Sequence, residues 1–226
     1  INIVKNLLIS CKRNNIKIVL FALDEVIINN LKNECDIVKY YNLEFNDKIF
    51  NKTIDPNKNY LFGSGDFRDV IFQRFFIANE ILKRNKFCTY LDTDLVIQKN
   101  FEKNIIEKFK ENPKVDCLMQ LAWKDFFCTG FFSMRPNNNT KNLDYKFFKD
   151  KKFYRYKANQ AFFNDIIIKN KFINVIALDQ DLYVHGNDYY ADNLKFENKC
   201  FLIHFNCVKG ANQKIEKMKK YNKWYL

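Results

Sequence analysis

Two carboxylates stand one residue apart at the end of an apolar run, in the segment Leu91-Asp92-Thr93-Asp94-Leu95. The preceding residues 87–91 are typical of a buried strand, and two anions at the end of such a strand need a cation beside them. Strand alternation would turn Asp92 and Asp94 to the same side, with Thr93 facing away. Such a pair can hold one hard divalent cation and leave coordination positions open for phosphate oxygens. A solvated turn is the alternative, because short D-x-D patterns also occur by chance.

A second set of polar residues follows an apolar run near the C-terminus. The chain has two histidines, His185 and His204, and His204 comes directly after the run 201–203. Its imidazole would complete an O,O,N ligand set that suits Mn²⁺ and accepts Mg²⁺. Gly210 would let the backbone approach a diphosphate, and Lys214 would add charge in the first turn of a closing helix. A lone histidine is more often structural, so this assignment depends on His204 meeting the aspartates.

The helix predicted at 66–84 carries a charged residue on its apolar side. At 100° per residue its apolar side chains form one arc, with Arg74 inside that arc and Gln73 outside it. A guanidinium cannot lose its charge by deprotonation, so Arg74 needs an anionic partner. Because this helix leads into the strand that ends at Asp92, we expect the aspartates or a bound anion to pair with it. A guanidinium that reaches past the arc into solvent is the alternative.

Apolar runs of strand type alternate with helical patterns along the chain. Predicted strands cover 16–23, 87–91, 115–121, 131–134, 173–178 and 201–205, and predicted helices cover 66–84, 101–111, 159–169, 211–221 and a segment from about residue 24. This alternation predicts an α/β fold with a mixed, mainly parallel sheet flanked by helices. Ligands of open α/β sheets bind at the carboxyl ends of the strands, where Asp24 also falls. Asp24 would contact the nucleotide or, as the alternative, cap the helix that it begins.

Composition narrows the protein class. The 226 residues are 47% hydrophobic and 17% aromatic, which supports one domain with a substantial core, and no apolar run is long enough to span a membrane. The formal net charge is +12, but the lysines are mixed with acidic residues along the whole chain. We therefore expect an anionic substrate and no nucleic-acid partner, with a basic nucleic-acid-binding module as an alternative.

The seven cysteines form no C-x-x-C pair, and several lie within apolar runs. This pattern favours reduced thiols and a cytoplasmic location over a disulfide framework. A secretory lumen is the expectation if an N-terminal anchor precedes Ile1, because the sequence does not begin with Met.

Four motifs occur in a fixed order. They are D-x-D at Asp92, T-G-F-F-x-x-R-P from Thr129, N-Q-x-x-x-N from Asn159, and H-x-N-x-x-x-G-x-x-x-K from His204, closing on Trp224. This ordered set resembles the nucleotide-diphospho-sugar transferase family over nearly the whole chain. The family comprises GT-A fold glycosyltransferases related to plant cell-wall xylosyl- and arabinosyltransferases and, more distantly, to glycogenin. The resemblance implies a single Rossmann-like GT-A domain over 1–226, whose first strand, which contacts the nucleotide, should precede Asn2.

The resemblance also implies a role for each matching residue. Metal ligands would be Asp92, Asp94 and His204, and the donor diphosphate and sugar would be contacted through Thr129, Gly130, Asn159, Asn206, Gly210 and Lys214. Arg74 would lie near the donor as a catalytic residue that, with the metal and Lys214, stabilises the charge developing on the diphosphate. A side chain at Gly130 would obstruct the donor sugar. The implied reaction transfers a sugar from a nucleoside diphosphate sugar, with UDP-sugar preferred, to a hydroxyl of a glycan or protein, with retention. Loops at 42–65 and 123–127 would set the choice of sugar and acceptor.

Asn159-Gln160 aligns with the Asp-Gln pair of related retaining enzymes, where the glutamine lies near the reacting sugar carbon. Asn159 departs from that pattern, so the resemblance leaves the charge at this position open. The segment Asp179-Gln180-Asp181 spells the pair literally but precedes an aromatic-x-x-Gly turn, so Gln160 is preferred. A haloacid-dehalogenase-type phosphatase is the other enzyme hypothesis, because Asp92 to Val96 fits its D-x-D-x-V motif. That hypothesis leaves the segment from His204 to Lys214 unexplained.

Overall fold

The structure is a computed structural model that describes residues 1–39, 65–143, 156 and 158–226. The loop predicted at 42–65 lies outside the described residues, apart from Gly65. Each predicted strand and helix has a counterpart among the described elements, with ends that differ from the predictions by a few residues.

In chain order the elements are α1 (Asn2–Arg13), β1 (Val19–Ala22), α2 (Glu25–Leu31), β2 (Asp36–Lys39), α3 (Gly65–Lys83), β3 (Cys88–Leu91), β4 (Leu95–Ile97), α4 (Glu102–Glu111), β5 (Cys117–Trp123), β6 (Phe126–Met134), α5 (Asn159–Phe162), β7 (Val175–Ala177), β8 (Tyr183–Val184), α6 (Gly186–Ala191), α7 (Asn193–Phe196), β9 (Leu202–His204) and α8 (Gly210–Lys220). A 3₁₀ turn lies at Thr140–Asn142. The helix predicted at 159–169 is α5 followed by a π-helix at Phe163–Ile168. Six described elements were not predicted: helices α1, α6 and α7 and strands β2, β4 and β8.

The described strands form sheets with the orders β1-β2, β3-β6-β5-β7 and β4-β9-β8. Pairing is parallel for β1/β2, β5/β7 and β8/β9 and antiparallel for β3/β6, β4/β9 and β5/β6. The α/β class with a mixed sheet is confirmed, while parallel pairs do not predominate among these strands. One reason is that β5 and β6 are joined by Lys124 and Asp125 alone, and so short a connection can only join antiparallel strands.

Strand β6 separates the two main apolar clusters. Phe132 packs on one side with Phe72, Phe75 and Phe162, and Phe131 packs on the other side with residues of α4 and β4. Consecutive residues of a strand face opposite sides, so one short run of β6 contributes to both clusters.

Helix α3 is buried on more sides than the single predicted arc. Gln73, placed outside the arc by the helical pattern, is buried, as are Phe72 and Asn79. The Asn79 amide donates to the carbonyl of Thr140 at 2.8 Å, so the 3₁₀ turn contacts a side of α3 that the periodicity left exposed.

The seven cysteines all lie in the described residues, and none of them forms a disulfide in the structure. In the described part of the chain, no helix combines the length and the apolar character that crossing a bilayer requires.

Candidate active site

Asp92, Asp94 and His204 meet at one point of the structure. Each offers one ligand atom, and these atoms all lie within 4.8 Å of one another. His204 Nε2 is 3.2 Å from Asp94 Oδ1 and 3.8 Å from Asp92 Oδ2. The expectation that the D-x-D pair and the imidazole come together across 110 positions of sequence is therefore confirmed.

Strand register explains this meeting. Asp92 directly follows β3, and its N–H donates to the carbonyl of Gly130 in β6 at 2.8 Å. His204 is the last residue of β9 and lies opposite Leu95 of β4. The N–H of Phe205 donates to the carbonyl of Asp94 at 2.9 Å, so β9 delivers the imidazole beside the second aspartate.

Asp92-Thr93-Asp94 lies in a turn, and the prediction that strand alternation would align the two aspartates is wrong. The N–H of Leu95 donates to the carbonyl of Asp92 at 3.2 Å, which closes the turn between β3 and β4. The chain leaves one sheet at Leu91 and joins another at Leu95, so it has to change direction between the aspartates. The turn, and not strand alternation, brings both carboxylates to the imidazole of His204.

Arg74 is the cation beside Asp92. Its Nη2 lies 3.0 Å from Asp92 Oδ1, and its Nη1 donates to Asp92 Oδ2 at 3.2 Å and to the carbonyl of Thr129 at 2.9 Å. Burial is the largest effect and would lower the pKa of this guanidinium, but the charge and hydrogen bond of Asp92 together with Tyr90 and Cys128 outweigh it and raise the pKa. Tyr90 donates its hydroxyl to Asp92 Oδ1 at 2.8 Å. The predicted ion pair between Arg74 and an aspartate of the D-x-D motif is present.

Asp94 is buried and has two cationic neighbours. Lys214 Nζ lies 2.7 Å from Asp94 Oδ2, and His204 Nε2 lies on the other oxygen. Burial would raise the pKa of Asp94, but the positive charges of His204 and Lys214 hold it well below its usual range. Burial likewise opposes charge on His204, yet the adjacent Asp94 raises its pKa. Lys214 lies on a carboxylate of the ligand cluster in this structure, and its predicted contact with the diphosphate stays a prediction.

Gln120 is a site residue that sequence reasoning missed. Its Oε1 lies 3.0 Å from His204 Nδ1, and its Nε2 donates to the carbonyls of Tyr183 and Val184 at 3.1 and 3.0 Å. No motif marks this glutamine. The available signal was a single amide inside the apolar strand at 115–121, because a buried amide requires partners.

Gly130 lies directly against the side chains of Asp92 and His204. A Cβ atom built on it would be 2.8 Å from Asp92 Oδ2 and 2.9 Å from His204 Nε2, and closer still to His204 Cε1. Such distances are far inside van der Waals contact. The absence of a side chain at this position is therefore required by the packing of the ligands, in addition to the expected clearance for a donor sugar.

Thr129 and Asn159 connect the site to α5. The Thr129 hydroxyl donates to Asn159 Oδ1 at 3.3 Å, and the Asn159 amide donates to the carbonyl of Ile71 at 2.9 Å. Asn159 is buried and begins α5, so its neighbour Gln160 lies at the helix end that faces β6. Contacts of Thr129, Asn159 and Gln160 with a donor remain predictions.

Asn206 contacts both the imidazole of His204 and the backbone of Gly186. Its Oδ1 accepts from the N–H of Gly186 at 3.0 Å, and its Nδ2 lies 3.2 Å from His204 Nδ1. His185, the residue before Gly186, is buried beside His204, and burial together with the His204 charge lowers the pKa of His185 to about 4. In this structure the Asn206 amide is used within the protein, and its predicted donor contact stays a prediction.

Two other predicted donor-binding residues lie outside the ligand cluster. Asp24 is the N-cap of α2, where its Oδ1 accepts from the N–H of Ile27 at 2.8 Å, which is the alternative that the sequence left open. Gly210 begins α8 with φ +75°, and open space surrounds the position of a Cβ atom there. That left-handed backbone suits glycine, and a contact with phosphate remains a prediction.

The literal D-x-D at 179–181 is an exposed structural turn. Asp179 accepts from the N–H of Asp181 at 2.8 Å, and Asp181 pairs with Lys195 at 2.7 Å. These contacts account for its acidic residues within the protein, and the choice of Gln160 over Gln180 stays a prediction.

The cluster of Asp92, Asp94 and His204 fits a hard divalent cation. It combines carboxylate oxygens with an imidazole nitrogen, and the remaining ring nitrogen of His204 has a hydrogen-bond partner in Gln120. Metal-binding histidines in proteins share this arrangement, in which the second nitrogen is held by a polar group.

Comparison with known proteins agrees with the geometry. The family model described as nucleotide-diphospho-sugar transferase matches residues 15–218. UDP-galactose:fucoside alpha-3-galactosyltransferase of Dictyostelium discoideum is 23% identical over 237 residues, and the match covers 91% of this chain and 35% of that protein. The chain thus spans about a third of the length of this curated relative.

Solved structures share the fold at low sequence identity. A glycosyltransferase involved in the glycosylation of the major capsid of the virus PBCV-1 superimposes with a TM-score of 0.57 at 9% identity, covering 96% of this chain and 92% of that one. Mouse xyloside xylosyltransferase 1 in its apo form superimposes with a TM-score of 0.52 at 15% identity, covering 87% and 85% of the two chains.

Proposed function

Because the chain belongs to the nucleotide-diphospho-sugar transferase family, we propose that it is a metal-dependent glycosyltransferase that moves a sugar from a nucleoside diphosphate sugar to a hydroxyl acceptor. The family membership and the GT-A fold agree with the resemblance carried by the four motifs. The observation that carries the metal-dependent reaction is the meeting of Asp92, Asp94 and His204 at one point.

The three ligand side chains would hold Mn²⁺ or Mg²⁺. Bound there, the ion would supply positive charge to the donor diphosphate as the bond from phosphate to the anomeric carbon breaks. Carboxylate and imidazole ligands suit both ions, with a preference for Mn²⁺ because of the nitrogen ligand.

Lys214 would contact the diphosphate. Its ammonium lies on Asp94, and its side chain is partly exposed at the start of α8. A lysine on a flexible stem can turn from a carboxylate toward a phosphate that arrives beside it. Arg74 instead commits its donors to Asp92, Thr129 and Ile71, so it orients Asp92 and has a positioning role.

A uridine diphosphate sugar is the proposed donor. The Dictyostelium relative is named for a UDP-galactose donor and a fucoside acceptor, and this supports a UDP-sugar and a glycan hydroxyl here. Retention of anomeric configuration would follow from same-face attack, with the leaving phosphate taking the acceptor proton and Gln160 beside the sugar carbon.

The central experiment replaces Asp94 with alanine and measures nucleoside diphosphate released from UDP-sugars in Mn²⁺. Asp94→Ala should abolish metal-dependent release, because it removes a buried ligand oxygen. Asp181→Ala is the matched control, since Asp181 also belongs to a D-x-D pattern but lies in an exposed turn. Full activity in Asp94→Ala would reject the assignment.

A second comparison tests Gln160. Gln160→Ala should lower kcat on the same donor, whereas Gln180→Ala in the exposed turn should leave it unchanged. NMR of the glycoside product reports whether the anomeric configuration is retained. A kcat loss confined to Gln180→Ala would move the assignment to the literal Asp-Gln pair.

Release of inorganic phosphate from a simple phosphoester, without nucleoside diphosphate, would favour the phosphatase hypothesis. No feature of the site favours that chemistry over transfer, because His204 and Lys214 both converge on the D-x-D aspartates.

A further inference from the structure

The amide of Gln120 has a fixed orientation in the protein interior. Gln120 is fully buried in β5. Its Nε2 lies 3.1 Å from the carbonyl of Tyr183 and 3.0 Å from the carbonyl of Val184. Both partners are acceptors only, so the NH₂ group has to face them, and the reversed amide would place an oxygen against two carbonyl oxygens.

This orientation determines which atom of Gln120 faces the imidazole of His204. With Nε2 on the two carbonyls, Oε1 of Gln120 lies 3.0 Å from His204 Nδ1. An amide oxygen only accepts, so Nδ1 has to carry the proton of that hydrogen bond. The other ring nitrogen, Nε2, lies 3.2 Å from Asp94 Oδ1 and 3.8 Å from Asp92 Oδ2.

Asn206 offers a competing contact to the same nitrogen. Its Nδ2 is 3.2 Å from His204 Nδ1, while its Oδ1 is held by the N–H of Gly186. That NH₂ group has a second acceptor, Cys128 Sγ at 3.8 Å. Cys128 Sγ also lies 3.6 Å from His204 Nδ1, but a thiol can act as donor or acceptor and does not dictate the position of the proton. Gln120 Oε1 is the nearest of the three groups at 3.0 Å and has no comparable alternative partner among the described contacts, so the glutamine decides which ring nitrogen is protonated.

We propose that Gln120 is a positioning residue that holds the proton on His204 Nδ1 and thereby presents the Nε2 lone pair to a cation bound by Asp92 and Asp94. This inference rests on the metal-dependent function proposed above. A partner on the distal nitrogen of a metal-binding histidine fixes both the tautomer and the ring orientation, and its loss typically weakens metal binding about 10- to 100-fold.

The first test measures Mn²⁺ affinity by electron paramagnetic resonance of free Mn²⁺, without any sugar donor. Gln120→Met keeps the length of the side chain and removes the acceptor, so we expect the Kd for Mn²⁺ to rise about 10-fold or more. Gln73→Met is the matched control, because Gln73 is also a buried glutamine but has no contact with His204 among the described hydrogen bonds. An unchanged Kd in Gln120→Met would overturn the inference.

The second test determines which ring nitrogen of His204 carries a proton. The chain has two histidines, so ¹⁵N-histidine spectra of the Mg²⁺-saturated protein contain two sets of ring signals. For His204 we expect a protonated Nδ1 and an unprotonated Nε2 in the unmodified protein, and loss of that pattern in Gln120→Met. A general loss of packing would not produce this signature, and a proton on Nε2 in the unmodified protein would overturn the inference.

If Gln120→Met does not fold, the ring spectrum of the unmodified protein still tests the inference, because it needs no substitution at Gln120. A protonated Nδ1 on His204 supports the inference, and a proton on Nε2 would count against it. If the unmodified chain shows the expected ring protonation and Mn²⁺ binding but no sugar transfer, the proposed function fails while the role of Gln120 stands.

Discussion

The guanidinium of Arg74 binds both carboxylate oxygens of Asp92, with Nη2 to Oδ1 at 3.0 Å and Nη1 to Oδ2 at 3.2 Å. The same guanidinium lies over the ring of Tyr90, with 4.9 Å between its Cζ and the ring centroid. Two parallel contacts fix the plane of the carboxylate as well as its position. Asp92 therefore enters the ligand cluster with its charge compensated and its orientation set by α3.

Arg74→Met should destabilise the fold by about 1–3 kcal/mol in urea unfolding, since it leaves a partly buried Asp92 without its cation. Arg74→Lys should cost less but lose the two-point geometry. Mn²⁺ should raise the Tm of Arg74→Met more than that of the unmodified chain, because a bound cation replaces the missing charge.

As a control, Lys108→Met breaks an exposed pair with Glu111 and should change stability by no more than about 0.5 kcal/mol. Equal Mn²⁺ shifts would contradict the proposed compensation.

Gly130→Ala should disrupt the ligand cluster of Asp92, Asp94 and His204. The new methyl group has to displace Asp92 and His204, so we expect a stability loss of about 1–3 kcal/mol and Mn²⁺ affinity at least about tenfold weaker. Gly210→Ala has free space and should cost about 1 kcal/mol through its left-handed backbone alone, with the Mn²⁺ Kd unchanged. Isothermal titration with Mn²⁺ and urea unfolding separate the two effects, and normal metal binding by Gly130→Ala would contradict the packing argument.

Lys214→Met should change metal and donor binding in opposite directions. Removing the ammonium from Asp94 removes repulsion of an incoming cation, so the Mn²⁺ Kd without donor should tighten on the order of tenfold. The Kd for nucleoside diphosphate in saturating Mn²⁺ should rise, because a positive charge near the phosphates is lost. Calorimetric titrations of each ligand test this, and weaker binding of both would show that Lys214 supports the ligand cluster structurally.

Asn159→Asp should destabilise the protein, although it would complete the Asp-Gln pair that the resemblance implies at this position. The Asn159 amide donates to the carbonyl of Ile71 at 2.9 Å in a buried setting, and a carboxylate cannot donate there. We expect a loss of about 1–3 kcal/mol in urea unfolding. Asn170→Asp is the control, because its amide makes similar backbone contacts in an exposed position where water can replace them. Wild-type stability in Asn159→Asp would show that this hydrogen bond is dispensable.

Local patterns in the sequence predicted the elements and the ligand types. Hydrophobic periodicity located α3, β3 and β9 within a few residues, because burial on one face depends on nearest neighbours along the chain. The chemistry of Asp92, Asp94 and His204 predicted a cation site, since two carboxylates and an imidazole at strand ends have few other uses. The helical position of Arg74 likewise required an anion, and the structure supplies Asp92.

Residue types along the chain thus determined the fold class, the family and the candidate ligands. Strand register in three dimensions decided the rest: the turn between Asp92 and Asp94, the packing of Gly130 under His204, Lys214 on Asp94, and Gln120 behind the imidazole. Each of these contacts joins residues from different strands or helices, and its geometry depends on how the sheets are aligned. No local pattern encodes that alignment, because it is set by the packing of the whole core.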